Sequence, residues 1–76
     1  MNKKIEKQIG WNIGTLRVRA KMSQELLATK LQLEGCDMTR SAVAKIEVGN
    51  RHLYPDEIVA LKKILNCSYD EIFDLK

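Results

Sequence analysis

Arg40, Ser41, Ala44 and Lys45 stand at offsets 0, 1, 4 and 5, the spacing of a single helical face. Thr39 sits directly before them. Arginine and lysine donate to guanine O6 and N7, while serine and alanine let a helix approach closely or touch a thymine methyl. The competing reading of such a stripe is an ordinary solvated helix face. Other chemistry-bearing residues are sparse. His52 is the lone histidine, and Cys36 and Cys67 lie 31 positions apart without a CxxC pair. That is a poor metal-ligand set, and the cysteines read instead as small reduced hydrophobes. There is no catalytic triad, no glycine-rich phosphate loop and no framed carboxylate pair. Glu6, Asp56, Glu57, Asp70 and Glu71 read as helix-terminus charges and solvated faces. These residues point to no enzyme, no metal and no cofactor.

The elements that must position the stripe are limited by length. The chain has 76 residues, 45% hydrophobic and 30% charged, with a formal charge of +3. It reads as one domain over residues 1–76, too apolar for a disordered tail. Such a domain buries only about 60% of its unfolded surface. With 5% aromatics, aliphatic side chains must fill the core. No stretch reaches the ~20 apolar residues of a membrane helix, and no apolar run follows Lys3 and Lys4 as a signal peptide would need. A cytoplasmic location without membrane contact is the expectation. Residues 1–51 carry ten basic and five acidic side chains, a net +5; residues 52–76 carry three and five, a net −2. A basic front and an acidic back suit a polyanion-facing surface.

Apolar residues recur at helical spacing with little strand alternation, which predicts an all-α domain. Helix 1 is expected at about 3–21, with Ile5, Ile9, Ile13, Leu16 and Ala20 as one stripe. Gly10 and Gly14 lie four apart on one face, each costing about 1 kcal/mol against alanine, and are read as admitting a neighbouring helix. Trp11 is off the stripe; a half-exposed lid is preferred to a partner contact. Helix 2 is expected at about 24–34, N-capped by Ser23, with Leu27, Ala28 and Leu31 inward and Gly35 as its stop. Helix 3, about 40–48, is N-capped by Thr39, turns Val43 and Ile46 inward and ends at Gly49. Helix 4, about 55–65, opens on Pro55, with Ile58, Leu61, Ile64 and Leu65 as its apolar side. Ser68 and Glu71 form a capping box for helix 5, about 69–75.

Ile9-Gly10, Ile13, Leu16-Arg17, Ser23-Gln24-Glu25, Leu27-Ala28, Lys30-Leu31, Thr39-Arg40-Ser41, Val43, Lys45-Ile46-Glu47, Gly49 and Arg51 follow one another in an order that resembles the Cro/lambda-repressor-type (XRE) helix-turn-helix family. The likeness covers about residues 9–73. It implies a five-helix, lambda-repressor-like fold and a sequence-specific regulator, a small repressor bound to double-stranded operator DNA as a homodimer. Residue by residue, it implies base contacts from Thr39, Arg40, Ser41, Ala44 and Lys45, and phosphate contacts from Gln24, Asn50, Arg51 and Arg17. His52 and Tyr54 are adjacent, less supported contacts. Arg17 and Glu47 match a structural ion pair.

The segment between helices 2 and 3 departs from the family by about five extra residues. The simplest account is one more turn of helix 2 stopped at Gly35, with Met38 taking the buried hydrophobic place of the turn. This brings Glu34 and Asp37 into question as acidic neighbours of a DNA edge. Ile72, Phe73 and Leu75 are the dimer-surface candidates; completion of the monomer core competes for Phe73 and is preferred for Ile72. The alternative function is an antitoxin-like or adaptor module that uses the same fold to hold a small protein partner.

Overall fold

The computed structural model describes residues 2–76. Among them are five helices and no strand: α1 (Lys3–Arg19), α2 (Gln24–Leu33), α3 (Arg40–Glu47), α4 (Pro55–Leu65) and α5 (Tyr69–Ile72). Each start has a local cause. The side-chain oxygens of Asn2, Ser23, Thr39 and Ser68 accept from backbone N–H groups of the first turn, groups that have no partner within the helix. Pro55 opens α4, where its missing N–H costs nothing.

The first three helices stop in one way. A residue with positive φ follows the cap, and the next N–H reaches back to a carbonyl of the last turn. Those residues are Lys21 (φ 60°), Gly35 (φ 89°) and Gly49 (φ 80°). The returning bonds are Met22 N to Arg17 O (3.2 Å), Cys36 N to Leu31 O (3.0 Å) and Asn50 N to Lys45 O (2.8 Å). Helix 1 therefore ends at Arg19, two residues before its expected limit, because Lys21 has already left the helix.

α1 packs on α3 and α5, and α2 packs on α3 and α4. One core joins them, built from Ile13, Leu16, Leu27, Ala28, Leu31, Met38, Val43, Ile46, Leu61, Leu65 and Ile72 with the smaller Cys36, Ala60 and Cys67. Burial raises both thiols above the ordinary cysteine value. Met38 is fully buried, so the segment between α2 and α3 does feed a hydrophobe into their corner. Gln32 donates to the Met38 carbonyl and ties that segment to α2.

Gly10 sets the α1–α3 distance. A Cβ there would lie 2.2 Å from the Ile46 carbonyl oxygen, so no other residue permits this approach. Gly49 carries both constraints, a positive φ and a would-be Cβ 2.9 Å from the Lys7 Cα.

Helix 5 is one turn long and ends at Ile72, so Leu75 lies outside it. The segment beyond is tied to Asn12, a buried amide on α1. Its Nδ2 donates to the carbonyls of Ile72 (2.9 Å) and Asp74 (2.8 Å), and its Oδ1 accepts from Gln8. α1 thus holds the segment that leaves α5. Ile72 is 0% exposed and is withdrawn as a dimer-surface residue; it is core.

Candidate nucleic-acid interface

The front of α3 is held at both ends. Thr39 Oγ1 accepts from Ala42 N at 3.0 Å and fixes the entry. Val43 and Ile46 anchor the back in the core. What remains outward is Thr39, Arg40, Ser41 and Lys45, all exposed, with Ala44 half-buried between them. Neither Arg40 nor Lys45 is ion-paired with any described residue.

The far end of α3 is a junction of three helices. Glu47 Oε2 accepts from Arg17 Nε at 2.6 Å, and its Oε1 accepts from Arg17 Nη2 and Gln24 Nε2, each at 3.1 Å. Arg17 Nη1 donates to the Met22 carbonyl at 2.7 Å. The carboxylate thus ties α1, the start of α2 and the end of α3 together. Gln24 stands at the first position of α2, beside that helix's unpaired N–H groups, which suits an anion. Part of its amide is already committed to Glu47.

The loop after α3 places the remaining expected contacts differently. Lys3 Nζ donates to the Gly49 carbonyl (2.8 Å) and Asn50 Oδ1 (3.1 Å), a cation set on the negative end of α3. Arg51 is bidentate on Glu57, at 2.9 and 3.0 Å, and also donates to the His52 carbonyl. Its guanidinium lies 5.7 Å from the centre of the Tyr54 ring. His52 Nδ1 lies 2.6 Å from Glu6 Oε2.

Glu57 and Glu6 do stand in the first turns of α4 and α1, as helix-terminus charges, but each is paired rather than solvated. Glu57 is only 4% exposed. Burial opposes its charge, but the hydrogen bonds from Arg51 and from the Tyr54 N–H, with the Arg51 charge, outweigh it. The carboxyl is held below the ordinary glutamate value. Spacing could not reveal this, because a glutamate in the first turn after proline is also the usual helix-terminus charge. Glu34 is paired with α4: both of its oxygens accept from Lys63. Trp11 covers no core; it is 67% exposed, and the lid reading falls with it.

Two short helices, one with an anion-ready start and one with an exposed polar and cationic front, are locked edge to edge by one carboxylate. A helix-turn-helix family model matches residues 13–72. The chain belongs to the Cro/C1-type helix-turn-helix family, the XRE family. It matches no curated protein and no solved structure. As a member of this family it is a DNA-binding regulator of the XRE type. None of its described helices is long and apolar enough to cross a membrane. Within the helix-turn-helix unit, α2 and α3 are the paired helices, joined by residues 34–39.

Proposed function

We propose that the protein is a sequence-specific transcriptional repressor that binds operator DNA as a homodimer. The observation that carries the reading is the front of α3, where Arg40 and Lys45 are exposed and uncommitted above an apolar back, whereas Arg17 and Arg51 are held in bonds within the protein. In this reading α3 enters the major groove, and Thr39, Arg40, Ser41, Ala44 and Lys45 meet base edges. Gln24 with the start of α2, and Asn50 in the loop, meet phosphate. Arg17 and Arg51 are chiefly frame residues, since their donors are engaged within the protein. A protomer measures 29 × 21 × 20 Å, a size that suits half-sites about 34 Å apart. Phe73 and Leu75, both exposed, are the apolar side chains available to join two protomers.

Selection of duplexes from a random pool tests the proposal. The wild type is expected to enrich a two-fold symmetric site. Arg40→Ala with Ser41→Ala is expected to bind without enriching it. A wild-type pool with no preferred sequence would end the specific-regulator reading.

A further inference from the structure

A groove of about 440 Å³ lies between α1 and the end of α3, with Trp11, Thr15 and Val18 along one side and Val48 on the other. Gly10 and Gly14 leave its floor bare; a Cβ on Gly14 would already stand 3.2 Å from Glu47 Oε1. Trp11 is 67%, Val18 63% and Val48 55% exposed. Three large apolar side chains therefore stand in water around one hollow. The carboxylate that lines it, Glu47, is satisfied by Arg17 and Gln24.

Two observations decide what fits there. The first is continuity with the front of α3. Val48 follows Ala44 and Lys45 by one helical turn, and the groove wall at Glu47 touches Gln24 at the start of α2. The second is charge. On the Trp11 side of α1, Lys4 and Lys7 come two and one turns earlier and Lys21 about one turn after Val18. All three are exposed, and none is ion-paired with a described residue. Apolar walls flanked by uncommitted cations match a strand whose sugars present apolar faces between phosphates.

We infer that this groove seats the deoxyribose-phosphate backbone flanking the bases read by α3. Trp11, Val18 and Val48 pack on sugar faces, and Lys7 and Lys21 meet the neighbouring phosphates. The Trp11 indole N–H is a further phosphate donor. The inference rests on the DNA-binding role of α3 and extends it to a side of α1 that contributes area and grip, not base choice.

Trp11 is the chain's single tryptophan, so its emission reports on the groove alone. The site enriched by the wild type is titrated into the protein while Trp11 fluorescence and its quenching by acrylamide are followed. Saturation is expected to shield Trp11 from acrylamide. Trp11→Ala is expected to weaken binding by about tenfold with the preferred site unchanged, the equivalent of about 60 Å² of apolar contact. Trp11→Phe should recover most of that loss. Lys7→Ala should flatten the salt dependence by about one phosphate. Thermal melts should show Trp11→Ala as stable as the wild type, since the side chain covers no core.

If the wild type selects a site while Trp11 remains fully accessible and Trp11→Ala binds normally, the groove does not hold DNA and this inference alone fails. Shielding of Trp11 by raised protein concentration without DNA would assign the groove to a second copy and overturn it equally. If no site is selected at all, the specific-regulator reading and this inference fall together.

Discussion

The front of α3 and the loop that follows it carry the same kinds of side chain and use them in opposite ways. Arg40 and Lys45 stand in solvent without an ion pair, whereas Arg51 is clamped on a buried glutamate and His52 rests on Glu6. The difference is set by what lies beneath. Under Arg40 and Lys45 are Val43 and Ile46, which need nothing polar. Under Arg51 is Glu57, whose burial would be costly unpaired. A cation above an apolar back is available to DNA, and a cation above a buried carboxylate belongs to the frame. Arginine substitutions should therefore divide into those that cost folding and those that cost only binding.

The largest expected effect is on the frame. Arg51→Ala leaves Glu57 buried without its counter-charge and should cost about 3–5 kcal/mol, most of the stability of a domain this small. Chemical denaturation checks it; a loss under about 1 kcal/mol would mean that Glu57 finds water and that the loop is no frame. Arg17→Ala should cost somewhat less, about 2–4 kcal/mol, because Glu47 keeps the Gln24 amide. The same measurement ranks the two junctions.

On the other side of the comparison, Arg40→Ala should lower affinity for the preferred site by about 1–3 kcal/mol and relax the base choice. Its unfolding free energy should stay within about 0.5 kcal/mol of wild type. An Arg40→Ala protein that melts early would break the division between face and frame.

Acid sharpens it further. The folded-state pKa of Glu57 is lowered, so its contribution is complete above the ordinary glutamate range. It is lost as pH falls through that range to the folded value, where the unfolded chain binds the proton first. Glu57→Gln should be less stable than wild type near neutrality, and the gap should shrink on acidification. A gap that does not vary with pH would show that the Glu57 charge contributes nothing.

The smallest effect expected is a gain. Lys21 occupies a left-handed conformation at φ 60°, so Lys21→Gly should stabilise by about 0.5–1 kcal/mol, read as a modest rise in melting temperature. That same change removes one of the cations proposed for the groove, so stability and affinity should move in opposite directions.

Much of the fold was legible along the chain because its signals are local. Ser23, Thr39 and Ser68 act within three residues of themselves, and Gly35 and Gly49 stop helices by backbone conformation alone. The apolar periodicity of α2, α3 and α4 reports which side must leave water. Such features need no knowledge of distant contacts, and the five expected helix starts, at 3, 24, 40, 55 and 69, are those of the structure. Helix 5 stops short of the expected 75, and the segment beyond it is held by Asn12, sixty residues from Ile72, a contact that no local signal reports.

The sequence by itself determined the helices, their caps and which face of each is apolar, because capping and periodicity act over a few residues. Only the tertiary structure decided which charges are spent. Glu57 and Glu71 occupy the same third position of a first turn, yet one is buried beneath Arg51 and the other stays exposed, pairing with Arg19 at the surface. Lys3 on Gly49, Arg17 on Glu47 and the bare groove beside Trp11 depend on where segments far apart in the chain come to rest. A charge has no periodicity that distinguishes solvent from a buried partner; burial distinguishes them, and burial belongs to the packed chain.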